Sequence, residues 1–530
     1  MISESVPINL ICSTPAYSII DVQTKTWGLL ALALILLSFA TFHESLNFGF
    51  WKDDWRYVWC AWSRSDACGG AWLHPATPVE FIVLERLFGN KVIAWQIIGL
   101  LFRAILALSV VRLTQVSTGR IYGGILAGLI AVTSVVGLES VHWSSAHVTA
   151  IVAIFVTLSL SYWIGYVRFG KNSSLICALI LGMLGIFADP WRAIGLLPMA
   201  LFVTFIRGSR TRRLRLRRVL LYCYSMFLIA FVLYAFVQRD FFAQTQIGQF
   251  FRGKPSLMTV LSKTKIIGHY FNSLFNLAIG WIIPASHETT EFSHGVFQKF
   301  RAWIGILVFG LLAIVSVMKR RGHALALVWI VLFYLPVWLF DPRVITTEVH
   351  RYLVIPSVGL FVLLGYGLSK IRPVWIAITV SVVCLVINGV ASQRALASVA
   401  FFRSRALTDR VWNTIDQNTP SGTYPNVLVL GGEEPIKTNV FLYGNTFAFA
   451  LNKNIRDSQN FPIVSDDIGL GLEALGGNRD TIERNRLSQW YVYNDGTLVN
   501  QTDILWFRLQ REACAPLRPD EKKDDKKHIN

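Results

Sequence analysis

The chain has 530 residues, of which 53% are hydrophobic and 15% charged. A soluble domain carries about a quarter charged residues, and a disordered chain is richer still in polar groups, so neither class fits. The net charge is +18, with 50 Lys and Arg against 32 Asp and Glu. In a soluble protein that excess points to nucleic acid. In a membrane protein short basic loops account for it, and no nucleic-acid partner is needed.

Apolar blocks recur along the chain at the length a bilayer demands, roughly 20 residues each. They predict spans near 27–42, 94–112, 121–138, 148–167, 174–189, 191–206, 219–237, 301–318, 323–340, 351–369 and 373–391. The fold class is a polytopic α-helical membrane protein with about eleven transmembrane helices. Arg112 and Arg120, Arg168 and Lys171, the arginine run from Arg207 to Arg218, Lys319 to Arg321, and Lys370 with Arg372 fall in alternate connections. The positive-inside rule puts all of them, and the N-terminus, in the cytoplasm. Residues 43–93, 139–147, 238–300, 341–350 and everything after 391 then face outward. The expected location is a multi-pass cell membrane, the bacterial inner membrane, in contact with its lipids. The arginine run reads as a topology anchor rather than a nucleic-acid patch. No basic segment precedes the first span and no small-residue cleavage site follows it, so it reads as an uncleaved anchor.

The first outward loop opens with Phe50-Trp-Lys-Asp-Asp-Trp-Arg56. Two adjacent carboxylates hemmed by aromatics at a membrane surface are partly desolvated, which raises their basicity. A solvated helix-capping turn is the competing reading. The segment from His74 to Gly89 starts with a proline and continues as a helical apolar stripe, predicting an amphipathic helix that leads into the second span. Arg103 sits inside that span, either for a functional reason or with its head drawn toward the cytoplasmic end. Leu138-Glu-Ser-Val-His-Trp-Ser-Ser-Ala-His147 brings Glu139, His142 and His147 to the outer surface. Asp189 and Arg192 close the fifth span, and Arg351 edges the tenth. Carboxylates, histidines and arginines from separate outer loops thus share one membrane depth, which favours a site.

Past residue 391 the hydrophobic blocks shorten. Asn426 to Gly432 reads as a buried strand entering a glycine turn. Asn445 to Leu451 reads as a short helix, and Trp490 to Val499 alternates around Asp495-Gly496 as a hairpin. The expected organisation is a membrane domain over 1–391, with its chemistry in loop 43–93. A small α/β domain on the outer face follows over 392–518, and then a charged, disordered tail over 519–530. Cys177, Cys223 and Cys384 lie in spans as packing residues. Cys60 and Cys68 share the first outward loop, as a disulfide or as two free thiols. No Cys/His spacing signals a zinc site.

With these residues in place, the chain resembles the GT-C class of membrane glycosyltransferases that use polyprenyl-phosphate sugars. It looks closest to the protein O-mannosyltransferase-like enzymes. Asp53-Asp54 match the acidic doublet after the first span. His74-Pro75-Ala76-Thr77 and Leu87-Phe88-Gly89 match the motif that follows, with His74 in place of an arginine. Glu139-Ser-Val-His-Trp143 match the glutamate motif after the third span. His350-Arg351-Tyr352-Leu353-Val354-Ile355-Pro356-Ser357 match a late motif, with His350 in place of a glutamate. The resemblance covers spans one to four and nine to ten, and it stops short of the C-terminal domain.

The resemblance implies an inverting transfer of sugar to an acceptor hydroxyl, with Asp53 or Asp54 as general base. Arg351 is placed on the leaving phosphate, with Arg192 assisting. Glu139 orients the acceptor or, as the second choice, binds a divalent metal; no other cofactor is expected. His74, His142, His147, His350 and Tyr352 are candidate substrate-binding residues. The donor is a polyprenyl-phosphate sugar, and the acceptor is a cell-surface glycan, a lipid-linked glycan or a protein. Segment 238–300, with Lys263, Lys265, His269 and Tyr270, reads first as an interfacial helix and second as a cover over the donor groove. The rival readings are a polysaccharide polymerase or ligase, and a lipid-linked sugar flippase or transporter. The latter requires internal repeats and broken helices at the bilayer midplane, and the sequence offers neither.

Overall fold

A computed structural model describes residues 16–64, 76–207, 323–340, 350–418, 427–433, 445–465 and 487–507, with isolated positions within 217–228 and at 437 and 441. His74, Cys68, the expected span 301–318, segment 238–300 with Lys263, Lys265, His269 and Tyr270, and the tail 519–530 lie outside the described residues. So does the expected span 219–237, apart from those isolated positions.

The membrane part is helical: α1 (Ala16–Phe42), α2 (Asp53–Ser63), α3 (Ala76–Phe88), α4 (Val92–Thr118), α5 (Ile121–Thr133), α6 (Glu139–His142), α7 (His147–Phe169), α8 (Asn172–Ala188), α9 (Pro190–Ala193), α10 (Leu196–Arg207), α11 (His323–Phe340), α12 (Val354–Leu368) and α13 (Val374–Arg403). Among the described residues five helical segments are long and apolar enough to cross a membrane: Thr26–Asn47, Val92–Thr118, Ser144–Phe169, Arg351–Leu368 and Val374–Arg403. Four more apolar helices are shorter. Helix α4 packs against α1, α5 and α7, and α12 lies against α5 and α11. One apolar core joins these helices from Leu34 to Leu368. The outer faces of α8 and α13 leave Ile176, Ile180, Phe187, Val382 and Val386 exposed, as lipid-facing helices do.

Two spans end elsewhere than their apolar runs do. The third was expected to reach 138, but α5 stops at Thr133 and 134–138 is not helical. The reason is Arg103 of α4, whose guanidinium donates to the carbonyls of Ser134 and, at 3.0 Å, Val136. A helix end leaves its last carbonyls without partners; here the Arg103 Nε–H reaches that of Val132 at 3.5 Å, and the Ser392 hydroxyl donates to that of Thr133 at 2.9 Å. Arg103 therefore reaches neither the cytoplasmic end nor a ligand. The last span was expected to end at 391, yet α13 continues to Arg403. Its sequence beyond 391, Ala-Ser-Gln-Arg-Ala-Leu-Ala-Ser-Val-Ala, contains no helix breaker.

After α13 come α14 (Arg405–Gln417), β1 (Val427–Gly432), α15 (Asn445–Asn452), β2 (Ile463–Ser465), β3 (Leu487–Val492) and β4 (Leu498–Asn500). The sheet order is β2-β1-β3-β4, with β1 parallel to both neighbours and β3–β4 an antiparallel hairpin. Val427 to Leu430 are all buried, the pattern of a central parallel strand covered on both faces. This sheet shares a core with the first loop: Tyr57, Trp59, Phe81 and Trp95 pack with Trp412, Leu430, Phe449 and Trp490. The Trp59 indole N–H donates to the Ile455 carbonyl at 2.8 Å.

Candidate active site

The acidic doublet opens α2, and the turn before it is strained. Lys52 adopts φ 49, a left-handed conformation costly for a side chain with a Cβ and found disproportionately at functional positions. Successive helical residues point in different directions, so the two aspartates part company. Asp53 is exposed and Asp54 is fully buried, at 0%. Asp54 accepts the Ser145 N–H at 2.7 Å on Oδ1 and the Trp51 N–H at 3.1 Å on Oδ2. Burial pushes its carboxyl up to about 7, against the downward pull of those two hydrogen bonds. Burial, then the charge of Arg403, brings the Lys52 amine down to about 8.

Glu139 and Arg351 meet beside this turn although 212 residues separate them. Both the backbone N–H of Arg351, at 3.2 Å, and its guanidinium, at 3.3 Å, donate to Glu139 Oε2. The pair is 20% and 19% exposed, open enough to reach a ligand. Backbone geometry makes the meeting possible. Gly137 turns the chain into α6 at φ 67, and a Cβ there would lie 2.2 Å from Val354 Cγ2. At Gly99 of α4 a Cβ would lie 2.1 Å from the Val141 carbonyl, so only glycine lets α6 approach this closely. His350, beside Arg351, accepts the Tyr352 N–H, and burial holds its ring down to about 4, hence neutral.

Cations and aromatic faces alternate across the site. Arg351 lies 4.0 Å from the centroid of Trp143, and Trp143 meets Trp51 edge to face at 4.6 Å. Lys52 Nζ lies 3.8 Å over Trp51, and Arg403 lies 3.3 Å over the same ring. On the far side Tyr352 is flanked by Arg351 at 4.8 Å and Arg192 at 4.9 Å. Each contact suits the electron-rich ring face. Arg192 is also paired with Asp189 at 2.7 Å. The site thus presents one exposed carboxylate, a Glu–Arg pair and several cations.

The structure brings Asp53, Asp54, Glu139, Arg351, His350, Tyr352 and Arg192 into one region around the turn at Lys52. His142 and His147 are not open to a ligand; both are buried. His142 faces the guanidinium of Arg403, and His147 Nδ1 is 2.7 Å from Glu80 Oε1. Burial raises the Glu80 carboxyl and takes His142 well below its ordinary value. Arg403, Trp51, Trp143 and Glu80 escaped the sequence reading. The two tryptophans entered only as aromatics within the acidic motifs and were given no role of their own, while Glu80 was subsumed in an amphipathic stripe. Cys60 is disulfide-bonded, and its expected partner Cys68 lies outside the described residues. Among the described residues no three His, Cys, Asp or Glu side chains gather as a metal-binding group.

No protein-family model and no curated protein matches the chain. Among solved structures it is similar to ArnT from Cupriavidus metallidurans in the apo state, at 13% identity and TM-score 0.45, over 89% of this chain and 93% of that one. ArnT bound to undecaprenyl phosphate gives 12% identity and TM-score 0.45, over 88% and 93%. The oligosaccharyltransferase AglB from Archaeoglobus fulgidus, in complex with an inhibitory peptide and a dolichol-phosphate, gives 12% and 0.45, over 81% of this chain and 64% of that one. The chain thus spans under two thirds of the archaeal enzyme's length. Values this low transfer no activity to this chain.

Proposed function

We propose that the chain is an integral-membrane glycosyltransferase of the GT-C type, moving a sugar from a polyprenyl-phosphate donor to an acceptor hydroxyl with inversion. One observation carries the reading: the exposed Asp53 and its neighbour Lys52 lie within electrostatic reach of the solvent-reachable Glu139–Arg351 pair, and Arg192 shares the Tyr352 ring with Arg351. The motif resemblance described above agrees with it.

Access decides between the aspartates. A general base must reach the proton it removes, and geometry precedes pKa in that choice. Both oxygens of Asp54 are taken by backbone N–H groups inside the fold, so Asp53 is the base and Asp54 anchors the turn. The acceptor oxygen attacks the anomeric carbon and its proton passes to Asp53. The bond from that carbon to the phosphate oxygen breaks, and its electron pair leaves with the phosphate. Arg351 suits that phosphate because a planar guanidinium offers paired donors, and Lys52 adds a second positive charge. Glu139 holds Arg351 in place and lines the acceptor side. The steps call on no cofactor, and the chemistry belongs to the outer face of the membrane. The polar groups cluster at helix ends rather than along a midplane path, which favours transfer over transport.

The test supplies membranes containing wild type, D53N, D54N and R351A with undecaprenyl-phosphate-linked hexoses or pentoses and follows label into membrane acceptors. Removal of the base is expected to cost a factor of about 10² to 10⁴. D53N transferring at the wild-type rate at equal expression refutes the assignment.

A further inference from the structure

Arg403 is the last residue of α13, far in sequence from the acidic turn, yet it grips that turn by both backbone and side chain. Its carbonyl accepts the Gly49 N–H at 2.9 Å, and the adjacent Ser404 forms an antiparallel bridge with Phe48. The fit is tight, since a Cβ on Gly49 would stand 3.3 Å from Thr408 Oγ1. Its guanidinium covers the Trp51 ring at 3.3 Å and bonds the His142 ring. Trp51 in turn donates its N–H to Asp54 and abuts Trp143, over which Arg351 lies.

Arg403 is only 6% exposed, and its Nε–H is buried without a partner. Among the described residues no carboxylate lies within ion-pair distance of it. A buried cation of that kind is costly to keep. Packing alone does not account for it, because a methionine fills similar volume without the charge. The planar guanidinium does what no apolar side chain can. It stacks on Trp51 and hydrogen-bonds His142 at once, locking the segment Phe48 to Lys52 between two helix ends.

We infer that Arg403 is a positioning residue: by clamping Trp51 against His142 it sets where the Lys52-Asp53-Asp54 turn stands relative to Glu139 and Arg351. The inference rests on the function proposed above for its catalytic consequence, and on the geometry alone for the clamp. Arg403 is too buried to touch a ligand. Its loss therefore acts only through the turn it positions, and falls more heavily on the rate of the chemical step than on donor binding.

Two measurements on the full-length protein in nanodiscs test this. The first is transfer from undecaprenyl-phosphate-linked hexoses or pentoses by wild type, R403M, R403K, R403A and D53N. R403M is expected to lower kcat by about 100-fold, the scale of a displacement near 1 Å, with a much smaller change in donor KM. R403K keeps the charge without the planar fork and recovers only part of the rate. Added guanidinium is expected to restore part of the activity of R403A. The second is backbone hydrogen exchange, in which the Trp51 and Ser145 amides are expected to exchange faster in R403M. Wild-type kcat and exchange in R403M overturn the inference, as does a raised donor KM with kcat unchanged. If R403M fails to accumulate, R403K and H142A decide by the same criteria. If wild type transfers no label, the proposed function fails, and the exchange measurement still decides the clamp.

Discussion

Replacing Asp54 by asparagine is expected to reverse its effect on stability across the neutral range. The folded carboxyl titrates at about 7 and the unfolded one at 3.8. Between those values the folded state holds a proton that the unfolded chain has released. Stability therefore falls as pH rises from about 4 to 7 and is flat beyond. The loss is about three pH units at 1.36 kcal/mol each, about 4 kcal/mol in all. Asparagine removes that slope but introduces its own cost. Its NH2 group faces either the Ser145 or the Trp51 N–H, donor against donor, leaving a buried N–H unsatisfied at about 1–3 kcal/mol. D54N is thus expected to melt below wild type at pH 4.5 and level with it or above it at pH 8. The assay is thermal unfolding in nanodiscs, followed by intrinsic fluorescence over that range. Parallel pH curves for the two proteins would refute the reasoning, because they would show that Asp54 titrates alike in the folded and unfolded states.

Three further outcomes follow from the same geometry. R103M removes the donors that finish α5 and is expected to cost about 2–4 kcal/mol, read as a fall in melting temperature; an unchanged value would mean that water replaces the guanidinium. E80A strips His147 of its buried partner and is expected to cost about 3–5 kcal/mol. E80Q, which still accepts from the imidazole, should lose much less in the same melt. G137A meets Val354 Cγ2 at 2.2 Å in a left-handed turn. It should separate Glu139 from Arg351, costing at least about 1–3 kcal/mol, and a wild-type melting temperature together with wild-type transfer would contradict it.

What could be read from the chain, and what could not, divides by range. Spans such as α4, α7 and α12 were legible because a bilayer imposes one length and one polarity on every stretch that crosses it. The end of α5 was not. Ser134-Val-Val-Gly-Leu138 is as apolar as the helix before it, and the arginine that takes its carbonyls lies on a different span. The doublet Asp53-Asp54 stood out locally. Which of the two is buried depends on Ser145, 91 residues away, a contact no local pattern announces. Arg351 and Glu139 were found through short motifs. Arg403 carries no such mark, being one basic residue closing an apolar helix, and only the bridge to Phe48 shows where it points.

The core shared by α2, α3 and the C-terminal sheet has a consequence for the order in which the molecule is made. Trp59 and Phe81 emerge early in synthesis, but the residues that cover them, from Trp412 to Trp490, are made long afterwards. Until that stretch has been made, the helix carrying Asp53 lacks its backing, and the segment ahead of it lacks the clamp from Arg403. On the function proposed above, a nascent chain without that stretch is expected to be inactive however many of its spans are already inserted.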